Sequence, residues 1–239
     1  MKGTEDFYEG SELEGLRLAT NYYRWLCEEF RPYLRGCCLE IGAGRGTFTK
    51  FLLETDITAL CCLEPAANLI PLLQLETQAS AKPVTIVQAT LAQFFELAEA
   101  PFDCLVCVNV LEHIEDDREA MRQMHDLLKV GGHLCLFVPA LPWLYGSLDA
   151  YFGHYRRYTK RRLEELARQE GFIVEKLRFF NLFGVFTWFL MGKVLRWRTW
   201  GTTPVVMYDR LIIPFLRRLE QCFSPPLGQS LLMVACRES

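Results

Sequence analysis

The chain has 239 residues, 51% of them apolar and 23% charged, with a net charge of −3. That composition can fill the core of one large domain and excludes a disordered tail. It also argues against a dedicated nucleic-acid binder, which needs a Lys and Arg surplus on some face.

The first expected element is a helix over residues 13–33. Leu16, Leu18, Ala19, Tyr22, Tyr23, Leu26 and Phe30 recur there at helical spacing, and Pro32 and Gly36 then interrupt it. Short apolar runs predict strands over 37–41, 58–63, 84–88, 102–109 and 133–138. Helical stretches over 46–54, 69–76, 90–97 and 118–128 separate them. Strands joined by such crossovers form a parallel, doubly wound α/β sheet covered on both faces.

The ten cysteines are about 4% of the chain, well below the roughly 8–10% of a disulfide scaffold. Cys37-Cys38, Cys61-Cys62 and the C-x-x-C of Cys104 and Cys107 fall inside the strand runs. Such neighbours point to opposite faces of a strand, so these thiols read as small core hydrophobes in a reducing compartment. The first residues, Met1-Lys-Gly-Thr-Glu-Asp6, carry no apolar signal core, and the expected location is cytoplasmic.

After Pro139 the rhythm changes. Residues 141–158 are rich in aromatics, Gly and Pro and read as a covering loop. A helix over 160–170 ends at Gly171, and a strand is expected over 172–180. Residues 182–200 are strongly apolar and aromatic, and Lys193, Arg196 and Arg198 lie at their end. Another helix over 208–223 precedes a last strand at 230–236. The stretch 182–192 is 11 residues without a charge, too short for the ~18–20 of a bilayer span. It suits an interfacial helix, an acceptor-site cap or a dimer patch.

The most informative segment is Leu39-Glu-Ile-Gly-Ala-Gly-Arg-Gly-Thr47. A strand ends at Ile41 and a helix follows, with Gly42, Gly44 and Gly46 at every second position. Glycines permit the tight turn and let backbone approach a ligand. The spacing is not the G-x-G-x-x-G of nicotinamide dehydrogenases, because Thr47 stands at its last place. Glu64 closes the second strand, 20 residues after Gly44. In a βαβ unit that carboxylate sits where it can accept from two vicinal ribose hydroxyls.

Together with Leu63-Glu-Pro65, the run Phe102-Asp-Cys-Leu-Val-Cys-Val-Asn-Val-Leu-Glu-His-Ile-Glu-Asp116, and Leu128-Lys-Val-Gly-Gly-His-Leu134, this loop resembles the class I S-adenosylmethionine-dependent methyltransferases. The resemblance covers roughly residues 15–180. It implies a Rossmann-like seven-stranded sheet whose last strand is antiparallel, in a single domain over 1–239. A helical C-terminal insertion, 182–225, would lie between the last two strands. It also implies S-adenosyl-L-methionine as cofactor and S-adenosyl-L-homocysteine as product. Position by position, Glu40, Gly42, Ala43, Gly44, Gly46 and Thr47 match the turn around the methionine part. Glu64 matches the ribose ligand and Pro65 an adenine neighbour. Ala89 and Thr90 match the loop under the adenine, without the acidic residue often found there. Asn109, Val110 and Leu111 match the segment beside the sulfonium, and Tyr23 the helix that closes over the cofactor; core packing is an equal reading of that tyrosine.

Methyl transfer to oxygen needs a group that takes a proton. His113, in Glu112-His113 after the fourth strand, and His154, in Gly153-His-Tyr-Arg-Arg-Tyr158, are the candidate bases. In ubiquinone-pathway O-methyltransferases positions similar to Glu112-His113 look like ligands of a divalent metal, with a further Glu three residues earlier. Asn109 stands there in this chain, so a base or orienting role is favoured and no metal is assigned. Arg156 and Arg157 could meet an acidic acceptor or simply form a solvated loop. The expected function is O-methylation of a small hydroxylated, sugar or lipid-like acceptor. The alternative is a non-catalytic S-adenosylmethionine-binding module that docks a partner, membrane or second copy through its apolar C-terminal helices.

Overall fold

The computed structural model describes residue 15 and residues 17–98, 101–197 and 202–238. Seven strands form one sheet: β1 (Arg35–Ile41), β2 (Asp56–Leu63), β3 (Val84–Val87), β4 (Phe102–Val108), β5 (Leu128–Pro139), β6 (Phe172–Phe180) and β7 (Ser230–Arg237). Their order is β3-β2-β1-β4-β5-β7-β6, and β7 runs antiparallel to both neighbours. Chain order reverses between β1 and β4, the switch point at which ligands bind in open α/β sheets. The expected strands are all present, with ends shifted by a few residues. β5 shows the largest change: Leu128 already pairs with Phe102, and the register shifts past Gly131, at φ +76°, before pairing resumes at His133.

Helix α1 (Thr20–Phe30) packs Trp25, Leu26 and Phe30 on one sheet face, and Trp25 stacks on Phe180 with ring centroids 3.8 Å apart. The earlier residues expected to begin this helix are, apart from Gly15, Arg17, Leu18 and Ala19, outside the described residues. Helices α2 (Thr49–Leu53), α3 (Ile70–Thr77), α4 (Leu91–Phe95) and α5 (Asp117–Asp126) follow β1 to β4 in turn. The opposite face is covered through Met121 and Met124 of α5. Neighbouring thiols divide as a strand requires. Cys38, Cys62 and Cys104 join one core cluster, whereas Cys61 and Cys107 join the other, with Cys37 against it.

Residues 141–158 contain more structure than the expected loop. A 3₁₀ turn at Pro142–Leu144 leads into α6 (Ser147–Phe152). Aromatics and glycines mask its periodicity. The Asp149 carboxylate accepts the Gly146 amide at its start, and Gly153, at φ +78°, ends it. Next comes α7 (Lys160–Gln169), which buries Leu163 and Leu166.

Between β6 and β7 lie α8 (Leu182–Trp188), continued by a π-helical turn at Phe189–Val194, then α9 (Thr202–Met207), a π turn at Tyr208–Ile212 and α10 (Ile213–Cys222). Arg198 and Trp200 lie outside the described residues. Two buried carboxylates tie these helices to the body. Asp209 accepts the Asn21 and Tyr22 amides at 3.0 and 2.9 Å. Those are first-turn donors of α1, which has no side-chain cap of its own. Glu220 accepts from Arg178 at 3.1 Å and from the Leu182 amide at 2.8 Å.

Candidate active site

The glycine turn follows β1 directly. Gly42 has φ +72°, and a Cβ there would run into the Val110 side chain. Gly44 has φ +59°, yet a Cβ would meet nothing within 4 Å. Its backbone borders open space, as a ligand cradle should. Glu64 bridges this turn to the end of β2, because its carboxylate accepts the Gly44 amide at 2.7 Å and the Ala66 amide at 2.9 Å. Burial pushes its carboxyl up, and the two amides oppose that. Each ionised oxygen retains a lone pair for a further donor. Glu40 faces inward instead. It accepts from Thr49 at 2.6 Å, and burial pushes it up to about 8. Thr47 Oγ1 is buried with no hydrogen-bond partner among the described residues.

The remaining expected cofactor positions lie along the same edge. Ala43 and Ala89 are buried, and Pro65 is half-buried. Thr90 forms a capping box with Gln93, so its hydroxyl holds the start of α4. Asn109 ends β4 in a left-handed backbone conformation, φ +53°, that strains a non-glycine residue. Val110 packs against Gly42, and Leu111 is buried in the core. Tyr23 is buried edge-to-face against Tyr22. An open Gly44 cradle and a carboxylate across it fit S-adenosylmethionine.

A cavity of about 370 Å³ opens from this edge and reaches both Tyr23 and Asn109. Tyr22, Phe152, Trp188, Met191 and Val205 make much of its wall apolar. Its polar lining includes Asn109, Glu112, His113, His154, Arg157 and Asn181. The structure thus brings both candidate bases together, with ring centroids 4.7 Å apart and the planes nearly perpendicular. Burial, then the neighbouring His154, pushes His113 down to about 3. His154 Nδ1 lies 3.0 Å from Asp149 Oδ1. Burial raises Asp149, but His154 and Arg157 outweigh it and hold the carboxyl below its ordinary value. An ionised Asp149 only accepts, so Nδ1 is the donor of this pair, and in a neutral ring the lone pair lies on Nε2.

Asp149 is the residue that pattern reading overlooked. It is fully buried and also accepts from Arg157 at 2.7 Å and from Trp188 Nε1 at 3.1 Å. The only signal was an acid five residues before a histidine. Arg156 and Arg157 do not form a solvated loop, one of the two readings left open by the sequence. Arg156 binds the Glu115 carbonyl and Asp117. Arg157 binds Asp149 and the Ala140 carbonyl, while its Nη2 is buried without a hydrogen-bond partner among the described residues.

Glu112 is fully buried, and neither of its carboxylate oxygens has a hydrogen-bond partner among the described residues. Burial pushes it up to about 7. With His113 and His154 it places ligand-type atoms within 4.8 Å of one another, close enough to hold a divalent cation. His133, Glu175 and Cys236 form a second such trio, on β5, β6 and β7.

A methyltransferase-domain family model matches residues 19–177. The chain belongs to that family. Its sheet and cofactor turn are those of the class I S-adenosylmethionine-dependent methyltransferases. Among curated proteins, it is 30% identical over 98 residues to a ubiquinone biosynthesis O-methyltransferase of Photorhabdus laumondii, covering 40% of each chain. It is 31% identical over 100 residues to that of Pseudomonas aeruginosa, covering 41% of this chain and 42% of the relative. These matches span about two fifths of the relatives' length. Among solved structures, the methyltransferase resembles an S-adenosylmethionine-dependent methyltransferase from Clostridium acetobutylicum, with a TM-score of 0.60, 8% identity and 92% of each chain covered. It also resembles the 1,6-didemethyltoxoflavin-N1-methyltransferase of Burkholderia thailandensis, solved with its acceptor and S-adenosylhomocysteine. There the TM-score is 0.58 at 19% identity, covering 96% of this chain and 84% of that one. At such identities the likeness is one of fold.

Proposed function

We propose that this methyltransferase O-methylates a small hydroxylated acceptor with an apolar, lipid-like body, and that His154 is the general base. The observation that carries this reading is the Asp149–His154 pair opening onto an apolar cavity that reaches Asn109 and Tyr23. S-adenosylmethionine, when bound, supplies an electrophilic methyl group on a sulfonium. Glu64 and the turn at Gly42 and Gly44 would hold it. The chain's own task is to align an oxygen with that methyl group, exclude water and accept the hydroxyl proton. His154 Nε2 takes that proton, and Asp149 fixes the ring and stabilises the imidazolium. Arg157 Nη2 offers a donor to the developing oxyanion. His113, depressed by burial, stays neutral and walls the site.

A cavity lined mainly by aromatic and aliphatic side chains favours a lipid-like acceptor over a sugar. The ubiquinone biosynthesis O-methyltransferases among its relatives support oxygen as the atom methylated. The Glu112, His113 and His154 cluster supports a second reading, in which a bound divalent cation acidifies the hydroxyl. The test is methyl transfer from labelled cofactor to alkyl-tailed phenols and to sugars, with and without a chelator. Transfer to phenols that is chelator-resistant and lost in His154→Ala supports the base. Chelator sensitivity favours the cation. Preference for sugars, or the absence of any transfer in extracts, overturns the proposal in favour of a non-catalytic binding module.

A further inference from the structure

The helices between β6 and β7 face two ways. Their inner sides line the cavity through Thr187, Trp188, Met191, Val205 and Tyr208. Their outer sides carry large apolar groups into solvent. On α8 and its π turn, Phe183, Phe186, Leu190 and Val194 are exposed at steps of three and four residues, which is one helical stripe. On α9 to α10 the exposed large apolar residues are Met207, Leu211, Phe215 and Leu219, with Phe215 at 69%. Four-residue steps overshoot a full α-helical turn, at about 100° per residue. The wider π turn at Tyr208–Ile212 undershoots it, so the mixture keeps these four in line. The two stripes belong to neighbouring helices, since Phe183 stacks on Tyr208 with centroids 6.3 Å apart. Exposed apolar surface on this scale marks an interaction site.

Charge indicates the partner. Residues 182–224 contain six basic and two acidic side chains, net +4, in a chain of net −3. Both acids, Asp209 and Glu220, are buried and hold the helices to the body. Lys193, Arg196, Arg210 and Arg218 are exposed. Every exposed ionic group on the described part of this segment is therefore a cation. No helix among the described residues is long and apolar enough to cross a membrane. Aromatic and aliphatic stripes on helices whose own exposed charges are all cations match the interface of an anionic bilayer, into which a helix sinks its apolar side while its cations meet phosphates.

We propose that the outer faces of α8, α9 and α10 seat the protein on an anionic lipid surface. The acceptor cavity then lies directly behind the helices that touch the membrane. This docking does not depend on which acceptor is methylated, and its test requires no turnover. The full chain is sedimented with vesicles of phosphatidylglycerol mixed with phosphatidylcholine, and with phosphatidylcholine alone, at low and high salt. The expected result is co-sedimentation with the anionic vesicles, weakened by salt and reduced at least tenfold in the Leu211→Ser/Phe215→Ser double variant. Arg210→Gln/Arg218→Gln, which leaves the apolar stripe intact, should lose the preference for anionic vesicles. S-adenosylmethionine binding by each variant confirms that it is folded. A wild type that stays in the supernatant with both vesicles overturns the proposal. So does a serine variant that is folded and sediments as the wild type does. Sedimentation velocity showing a stable dimer that the serine substitutions dissociate would assign the stripes to self-association instead.

Discussion

Trp188 donates its indole Nε1 to Asp149 across 3.1 Å, joining the helices between β6 and β7 to the loop after β5. The same carboxylate holds His154 and Arg157, so one buried acid organises three side chains around the cavity.

Asp149→Asn should therefore lower kcat by about 10²-fold or more, because His154 loses the partner that sets its tautomer and stabilises its charge. Affinity for S-adenosylmethionine should be unchanged. The same variant leaves Arg157 buried without its counter-charge, a loss of roughly 3–5 kcal/mol of stability. Steady-state kinetics, calorimetry and chemical denaturation would check the three effects separately.

Glu64→Ala should weaken S-adenosylmethionine binding by about 1.5–3 kcal/mol, the scale of a lost charged hydrogen bond. Gly44→Val should abolish it in a folded protein. The backbone there has φ +59°, where a β-branched residue is strained, and its side chain would occupy the open cradle. Titration calorimetry measures the first effect, and circular dichroism alongside it controls for the second.

Glu112 determines a pH dependence of stability. Its carboxyl is pushed from 4.5 up to about 7 in the folded protein, so the folded state holds a proton that the unfolded state releases. The sign follows: stability is full below the unfolded value and falls as pH rises towards 7. Glu112→Gln removes that loss. The variant should gain on the wild type as pH rises from 4.5 to 8, by up to ~3 kcal/mol. Denaturant midpoints at several pH values would show whether the two curves diverge.

Filling the cavity should separate acceptor from cofactor. Val205→Trp places a large ring into a wall of the cavity away from the glycine turn. The expected result is a raised KM for the acceptor, about tenfold or more, with S-adenosylmethionine affinity retained. Equal loss of both would show that the two sites are not distinct.

Asp209→Ala should destabilise the fold by roughly 1–3 kcal/mol, because two first-turn amides of α1 lose their acceptor. A thermal melt measures it. Asp209→Asn should restore part of the loss, as it retains one oxygen.

Much of this protein is written in local pattern. Strand runs of alternating faces, the Gly42–Gly46 turn and Glu64 at the end of β2 specify the sheet and its cofactor edge, because period, turn chemistry and short spacings act within a few residues. The split of Cys37 from Cys38 and of Cys104 from Cys107 between two core clusters follows from the same alternation. The chemistry around the cavity depends on contacts distant in sequence. Glu112, the Asp149–His154 pair and Trp188 come from three segments, and no periodicity states that they meet. Trp188 looks like one more aromatic in an apolar helix, yet it turns inward to a buried acid, whereas Phe186 beside it points to solvent. Asp209 caps a helix whose first turn precedes it by 188 residues, a pairing that no local pattern contains. Burying a charge is tolerable only where donors await it. Closing the chain over the sheet brought those donors together, and thereby decided which acids became structural, which histidine gained a partner and which apolar stripes were left facing out.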